Sequence, residues 1–163
     1  MATNIFAKLR AGVTTASAAG TQALAAEFAA ALPPDTTLAL HGNLGVGKTT
    51  FVQGLARGLG LTEPVTSPTF NIYTVHHAPR TASSAGKAGP TRGPAGPTLV
   101  HLDAYRLESG QQVEDLLLED FLESPWFLAV EWPEKIADWL PPGALHLDLG
   151  IAPDERHTLR LRS

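Results

Sequence analysis

The 163-residue chain contains no cysteine, which excludes disulfides, thiolate catalysis and cysteine-ligated zinc. It has no run of about eighteen apolar residues that could span a bilayer. Its first residues also lack the charged-then-apolar layout of a secretory signal, so a cytoplasmic location is expected, with no membrane contact. Lysine is scarce, at four residues, and the net charge is −4. A main surface built to grip nucleic acid needs a surplus of basic groups to neutralise phosphates. DNA is therefore not an expected partner, and any direct contact with RNA has to be local. No asparagine precedes a lysine, so the guanine-reading Asn-Lys-x-Asp pattern is absent and a GTPase is disfavoured.

What the chain does carry is a glycine-rich loop. Residues Gly42-Asn43-Leu44-Gly45-Val46-Gly47-Lys48-Thr49 spell G-x-x-x-x-G-K-T between an apolar run, Thr37 to His41, and a helix-like stretch from Lys48. The glycines let successive N–H groups turn towards a polyphosphate, and the following helix adds the positive end of its dipole. Asn43, Leu44, Gly45, Val46, Gly47 and Thr50 form the expected cradle. Lys48 neutralises charge near the β- and γ-phosphates of ATP, and the Thr49 hydroxyl is suited to ligate Mg²⁺.

Length and a hydrophobic fraction of 44% fit one domain, residues 1–163, with an ordinary core. Helical and strand patterns alternate. Ser17 to Leu32 reads as a helix stopped by Pro33-Pro34, Leu38 to His41 as the strand feeding the loop, and Lys48 to Leu59 as the loop helix. Phe70 to His77 and Thr98 to Asp103 read as strands. Ser109 with Gln112 suggests a capping box, followed by Val113, Leu116, Leu117 and Phe121 at helical spacing. Trp126 to Glu131 is the next strand, Glu134 to Leu140 a short helical turn. Leu145, Leu147, Leu149, Leu159 and Leu161 alternate around Ala152-Pro153-Asp154-Glu155 as a closing β-hairpin. The sum is an α/β fold of the P-loop NTPase type, a three-layer sandwich whose central sheet is mostly parallel and ends in an antiparallel C-terminal hairpin. Between two strands, Ala78 to Pro97 holds four glycines, four prolines and the basic residues Arg80, Lys87 and Arg92 with no acid. That composition predicts a disordered loop, better read as a tolerated insertion than as an RNA-binding arm.

The loop alone does not choose among phosphate-handling reactions. Asp103 and Glu131 each end an apolar run, the form that sets a carboxylate near Mg²⁺ or the attacking water, and either could be the ligand or the base. Thr69, with Ser67 second, is the candidate to offer a hydroxyl to Mg²⁺ or the γ-phosphate from a switching segment. Arg106 could stabilise phosphoryl charge or pair with a surface acid. Trp132-Pro133 would pack an indole beside Glu131. His76, His77 and His101 have no spacing that gathers them into a metal site and read as ordinary strand histidines.

Together the phosphate loop, Ser67-Pro68-Thr69-Phe70, His101-Leu102-Asp103-Ala104-Tyr105-Arg106-Leu107 and Val130-Glu131-Trp132-Pro133-Glu134 resemble the TsaE family, in the family's order and over about Thr14 to Leu149. The resemblance implies a small bacterial ATPase needed to form threonylcarbamoyladenosine beside the anticodon of tRNAs that read codons beginning with A. It implies ATP and Mg²⁺ as cofactors, with Lys48 and Thr49 holding phosphate and metal. Thr69 would be the switch threonine, Asp103 the acid of the second motif, Glu131 a metal-side acid, and Trp132 a neighbour of the nucleotide. Its partner would be a TsaB–TsaD heterodimer in which TsaD performs the transfer, so tRNA is met through the complex. Asn43 stands where the family usually has aspartate, and the Ala78 to Pro97 insertion is not typical of it. Two alternatives stand beside this reading: a P-loop small-molecule kinase, which needs a substrate pocket and an arginine-bearing lid, and a nucleotide-dependent binding module with little hydrolysis.

Overall fold

Three strands whose residues are buried on both faces set the centre of the molecule. A computed structural model describes residues 4–66, 71–78 and 96–163. In chain order the elements are α1 (Ile5–Ala11), β1 (Val13–Thr15), α2 (Ala18–Ala31), β2 (Thr36–His41), α3 (Lys48–Gly58), β3 (Tyr73–His77) and β4 (Thr98–Asp103). They continue with α4 (Gly110–Glu114), a 3₁₀ turn (Leu118–Phe121), β5 (Trp126–Glu131), a second 3₁₀ turn (Pro133–Ile136), β6 (Leu145–Ile151) and β7 (His157–Leu161). The described residues form one seven-stranded sheet in the order β1-β7-β6-β2-β5-β4-β3. β6, β2, β5 and β4 are parallel, while β3 on one edge and β7 and β1 on the other are antiparallel.

The period-2 geometry of a strand sends alternate side chains to opposite faces. In β5, Phe127 and Ala129 join a core shared with α1, α2 and α3, whereas Leu128 and Val130 join a second core under α4 and the two 3₁₀ turns. β4 divides the same way, with Leu99 on the first face and Val100 and Leu102 on the second. Sheet and two covering layers give the expected α/β sandwich. In the first core Phe28 and Phe51 are fully buried, and ring contacts run from Phe6 to Phe28 at 5.3 Å and from Phe28 to Phe51 at 6.3 Å, joining α1, α2 and α3.

Several boundaries fall where expected. Ser17 caps α2, its hydroxyl accepting from Gly20 N at 3.1 Å, and β5 spans Trp126 to Glu131. The helix expected from Ser109 to Phe121 does not form at that length. Ser109 makes no side-chain cap bond; instead Asp138 accepts from Gly110 N at 3.2 Å, and Gln112 accepts from Glu108 N at 2.6 Å. Leu117 turns left-handed at φ 55° and is 60% exposed, while Leu118 takes the buried place. The apolar spacing was right for a helix, but the core chose a different leucine. Glu134 to Leu140 likewise shortens to the 3₁₀ turn Pro133–Ile136. α1, β1 and the antiparallel edge β3 were not foreseen as such. The Gly/Pro segment lies outside the described residues over 79–95.

α2 and α3 cross with almost no space between backbones. A Cβ on Gly54 would stand 2.5 Å from Gln22 O and 2.7 Å from Ala25 Cβ. Alanine normally favours a helix over glycine by about 1 kcal/mol, but here overpacking outweighs that gain. Gly54→Ala is expected to lower unfolding free energy by about 1–3 kcal/mol in urea titration; an increase would show that the helices separate freely.

Candidate active site around the glycine-rich loop

β2 delivers the chain to Gly42 at the carboxyl edge of the sheet, where parallel α/β folds gather their ligands. Gly42 has φ 148°, and a Cβ there would lie 2.6 Å from Leu149 O, so the loop can pass β6 only because that side chain is missing. Gly47, at φ 97° and ψ 22°, caps α3 in the left-handed region. Leu44 projects to solvent, 88% exposed, while Val46 turns inward.

Register brings the acids together. β2 and β5 pair Leu40 with Glu131, and β4 and β5 pair Asp103 with Glu131, so both carboxylates stand beside the start of α3. Thr49 Oγ1 donates to Glu131 Oε1 at 3.3 Å. Asp103 Oδ1 accepts from Tyr105 N at 3.0 Å. Lys48 is 5% exposed; its Nζ donates to Gly42 O at 2.6 Å and sits 3.8 Å from the centre of the Trp132 ring, a cation–π contact. Trp132 adopts a left-handed backbone, φ 57°, before Pro133, and Tyr105 packs against its ring at 5.1 Å.

Leu44, Gly45, Gly47, Lys48, Thr49, Thr50, Asp103, Glu131 and Trp132 thus line one cavity of about 550 Å³, together with Ile72, Tyr105 and Arg106. Asn43 is exposed and not part of the lining, and Val46 is taken up by the core. Thr69 and Ser67 lie outside the described residues. Electrostatics follow from burial. Desolvation lowers the Lys48 pKa, only partly countered by Glu131, Glu134 and Asp103. Desolvation alone would raise Glu131, but the His101 imidazole, Lys48 and the Thr49 hydroxyl outweigh it and hold the carboxyl below its ordinary value.

The sequence model of the family described as "Threonylcarbamoyl adenosine biosynthesis protein TsaE" matches residues 15–159. The chain belongs to the TsaE family. Curated relatives carrying the name tRNA threonylcarbamoyladenosine biosynthesis protein TsaE agree. That of Bacillus subtilis is 34% identical, over 85% of this chain and 77% of its own. That of Streptomyces coelicolor is 43% identical, over 69% and 67%, and that of Treponema pallidum 33%, over 76% and 78%. Among solved structures, Bacillus subtilis YdiB superposes with a TM-score of 0.67 at 28% identity, covering 92% of this chain and 82% of that one.

Two histidines of this TsaE-family chain lie against the site: His101, read from the sequence as an ordinary strand histidine, and His157, which none of the motifs contains. His101 is fully buried, with Nε2 3.4 Å from Glu131 Oε2, a close approach without hydrogen-bond alignment. The signal was present, since His101 and Asp103 share a strand face by period 2, but which residue of the next strand they meet is a matter of register. His157 contacts the loop from β7, far along the chain.

The depressed Glu131 pKa links to stability. Its contribution is present above the ordinary value near 4.5 and is lost as pH falls through the lower folded value. Glu131→Gln should therefore flatten the fall of unfolding free energy with acid below about pH 4.5, read by urea titration across that range. An acid limb as steep as the wild type's would place the depressed carboxyl elsewhere.

Proposed function

We propose that this protein is a Mg²⁺-dependent ATPase that binds a TsaB–TsaD complex and supports formation of N6-threonylcarbamoyladenosine beside the anticodon of tRNAs reading codons that begin with A. The observation that carries the ATPase part is the Thr49–Glu131 contact beside a buried lysine in a single cavity. Family membership carries the pathway. The residues fit the ligand chemistry. Lys48 is a desolvated cation whose hydrogen-bond acceptor among the described residues is a loop carbonyl, so an anion gains more there than in water. Thr49 and Glu131 are hard oxygen donors of the kind Mg²⁺ takes. Among the described residues no three or more acids or histidines are grouped to hold a metal; a cation here would complete its shell from phosphate and water, as Mg²⁺ commonly does.

ATP with Mg²⁺, when bound, supplies the phosphoanhydride bond that is cleaved. Lys48 would neutralise the phosphates, and the backbone N–H groups around Gly45 and Gly47 would hold their oxygens. Thr49 and Glu131 hold the metal side. Asp103, its Oδ1 fixed by Tyr105 N–H, is the second acid and would orient the attacking water. Trp132 closes the cavity beside the nucleotide, and Thr69 is the switch hydroxyl. No helix among the described residues is long and apolar enough to cross a membrane; the proposed work on tRNA would place the protein in the cytoplasm. The net charge of −4 favours reaching tRNA through the partner complex over gripping it directly.

The test is ATP hydrolysis by the purified protein with Mg²⁺, alone and with the TsaB–TsaD pair. Hydrolysis is expected to be slow alone, faster with the pair, and reduced by about 100-fold or more in Lys48→Ala. No change with the pair, combined with phosphorylation of a metabolite, would replace this reading by that of a small-molecule kinase.

A further inference from the structure

His157 opens β7, on the strand face that carries Leu159 and Leu161 into the first core. Its Nδ1 lies 3.0 Å from Val46 O. A carbonyl oxygen only accepts, so Nδ1 must carry the hydrogen and donate. The Val46–Gly47 peptide is trans, the cis bond among the described residues being Ser124-Pro125. In a trans peptide the C=O and the following N–H point in opposite directions. Holding the Val46 carbonyl towards β7 therefore turns the Gly47 N–H away from it, at the residue that caps α3. The ring also packs beneath that glycine, 3.5 Å (Nδ1) and 3.7 Å (Cε1) from where a Cβ would stand. At the loop's other end Gly42 runs against Leu149 O of β6. The C-terminal hairpin thus braces the loop at both ends, and at the Gly47 end it does so through one hydrogen bond.

We propose that His157 is a positioning residue of the phosphate loop, fixing the Gly47 N–H in its phosphate-facing direction before ligand arrives. The proposal rests on the nucleotide-binding reading above and deepens it, since it assigns part of the binding energy to a residue outside all four sequence motifs. Preorganisation of this kind acts on every ligand that carries the same phosphate, so ADP and ATP should respond alike. It touches no reacting atom, so turnover at saturation should be spared.

The test compares His157→Phe, which keeps a ring but has no donor, with His157→Asn, whose Nδ2 can stand where Nδ1 stood. Three readouts are taken on the full chain: calorimetric Kd for ADP and ATP with Mg²⁺, KM against kcat, and the NMR order parameter of the Gly47 amide in the nucleotide-free protein. The Phe variant is expected to weaken both nucleotides by about 3- to 10-fold, the worth of a neutral hydrogen bond, to raise KM with little change in kcat, and to lower the Gly47 order parameter. The Asn variant should recover most of the affinity and of the order. Unchanged Gly47 order and affinity in His157→Phe would overturn the proposal, as would equal losses in both variants that track their melting temperatures. If the wild type bound no nucleotide, the parent reading would fall, while the Gly47 order parameter would still decide whether His157 holds the loop.

Discussion

The parallel pairing of β2 with β5 and of β5 with β4 is the constraint on which everything else depends. Because these strands run in one direction and in register, their carboxyl ends finish together, and Gly42, Glu131 and the Asp103–Ala104 step arrive at one edge of the sheet. Parallel strands need crossovers, and one of them is the glycine-rich loop with α3. Thr49 and Lys48, in the first turn of that helix, then have no option but to face the acids. The close approach of α2 to α3 at Gly54 and of β6 to Gly42 fixes the pose from behind.

The same arrangement is costly to the fold. A lysine and a glutamate are nearly buried side by side, with His101 fully buried next to them, and burying ions costs several kcal/mol each unless the surroundings repay it. Among the described residues a carbonyl and an indole face meet Lys48, and a hydroxyl and an imidazole meet Glu131. A bound polyanion with a divalent cation, as proposed above, would add to that repayment. Of the five non-glycine residues with positive φ among the described residues, Ile72 and Trp132 border the cavity, and strained residues are found where function requires them.

How much of this was legible in the sequence depended on whether the cause was local. The G-x-x-x-x-G-K-T segment dictates its own conformation, since φ values that only glycine adopts cheaply are written into it, so the loop, α3 and the strand before them could be read directly. Trp126 to Glu131 was legible because a doubly buried strand must be apolar throughout. Asp103 and Glu131 could be named, but their adjacency could not, being a property of strand register. Val113, Leu116, Leu117 and Phe121 misled for a related reason. Periodicity reports that a helical face is possible, not that the core will accept it, and here Leu118 was buried and Leu117 left outside. His157 was invisible because its partner is a main-chain carbonyl 111 positions away, and a carbonyl has no sequence signature.

The cavity beside Lys48, Thr49 and Glu131 is proposed to take one nucleoside triphosphate with its metal. The deciding measurement is calorimetric titration of ATP into the purified chain, with and without Mg²⁺. One ATP per chain is expected, with affinity that rises on adding Mg²⁺ and whose Mg²⁺ dependence disappears in Glu131→Gln. Binding that is absent, or that ignores both Mg²⁺ and Glu131, would overturn the assignment.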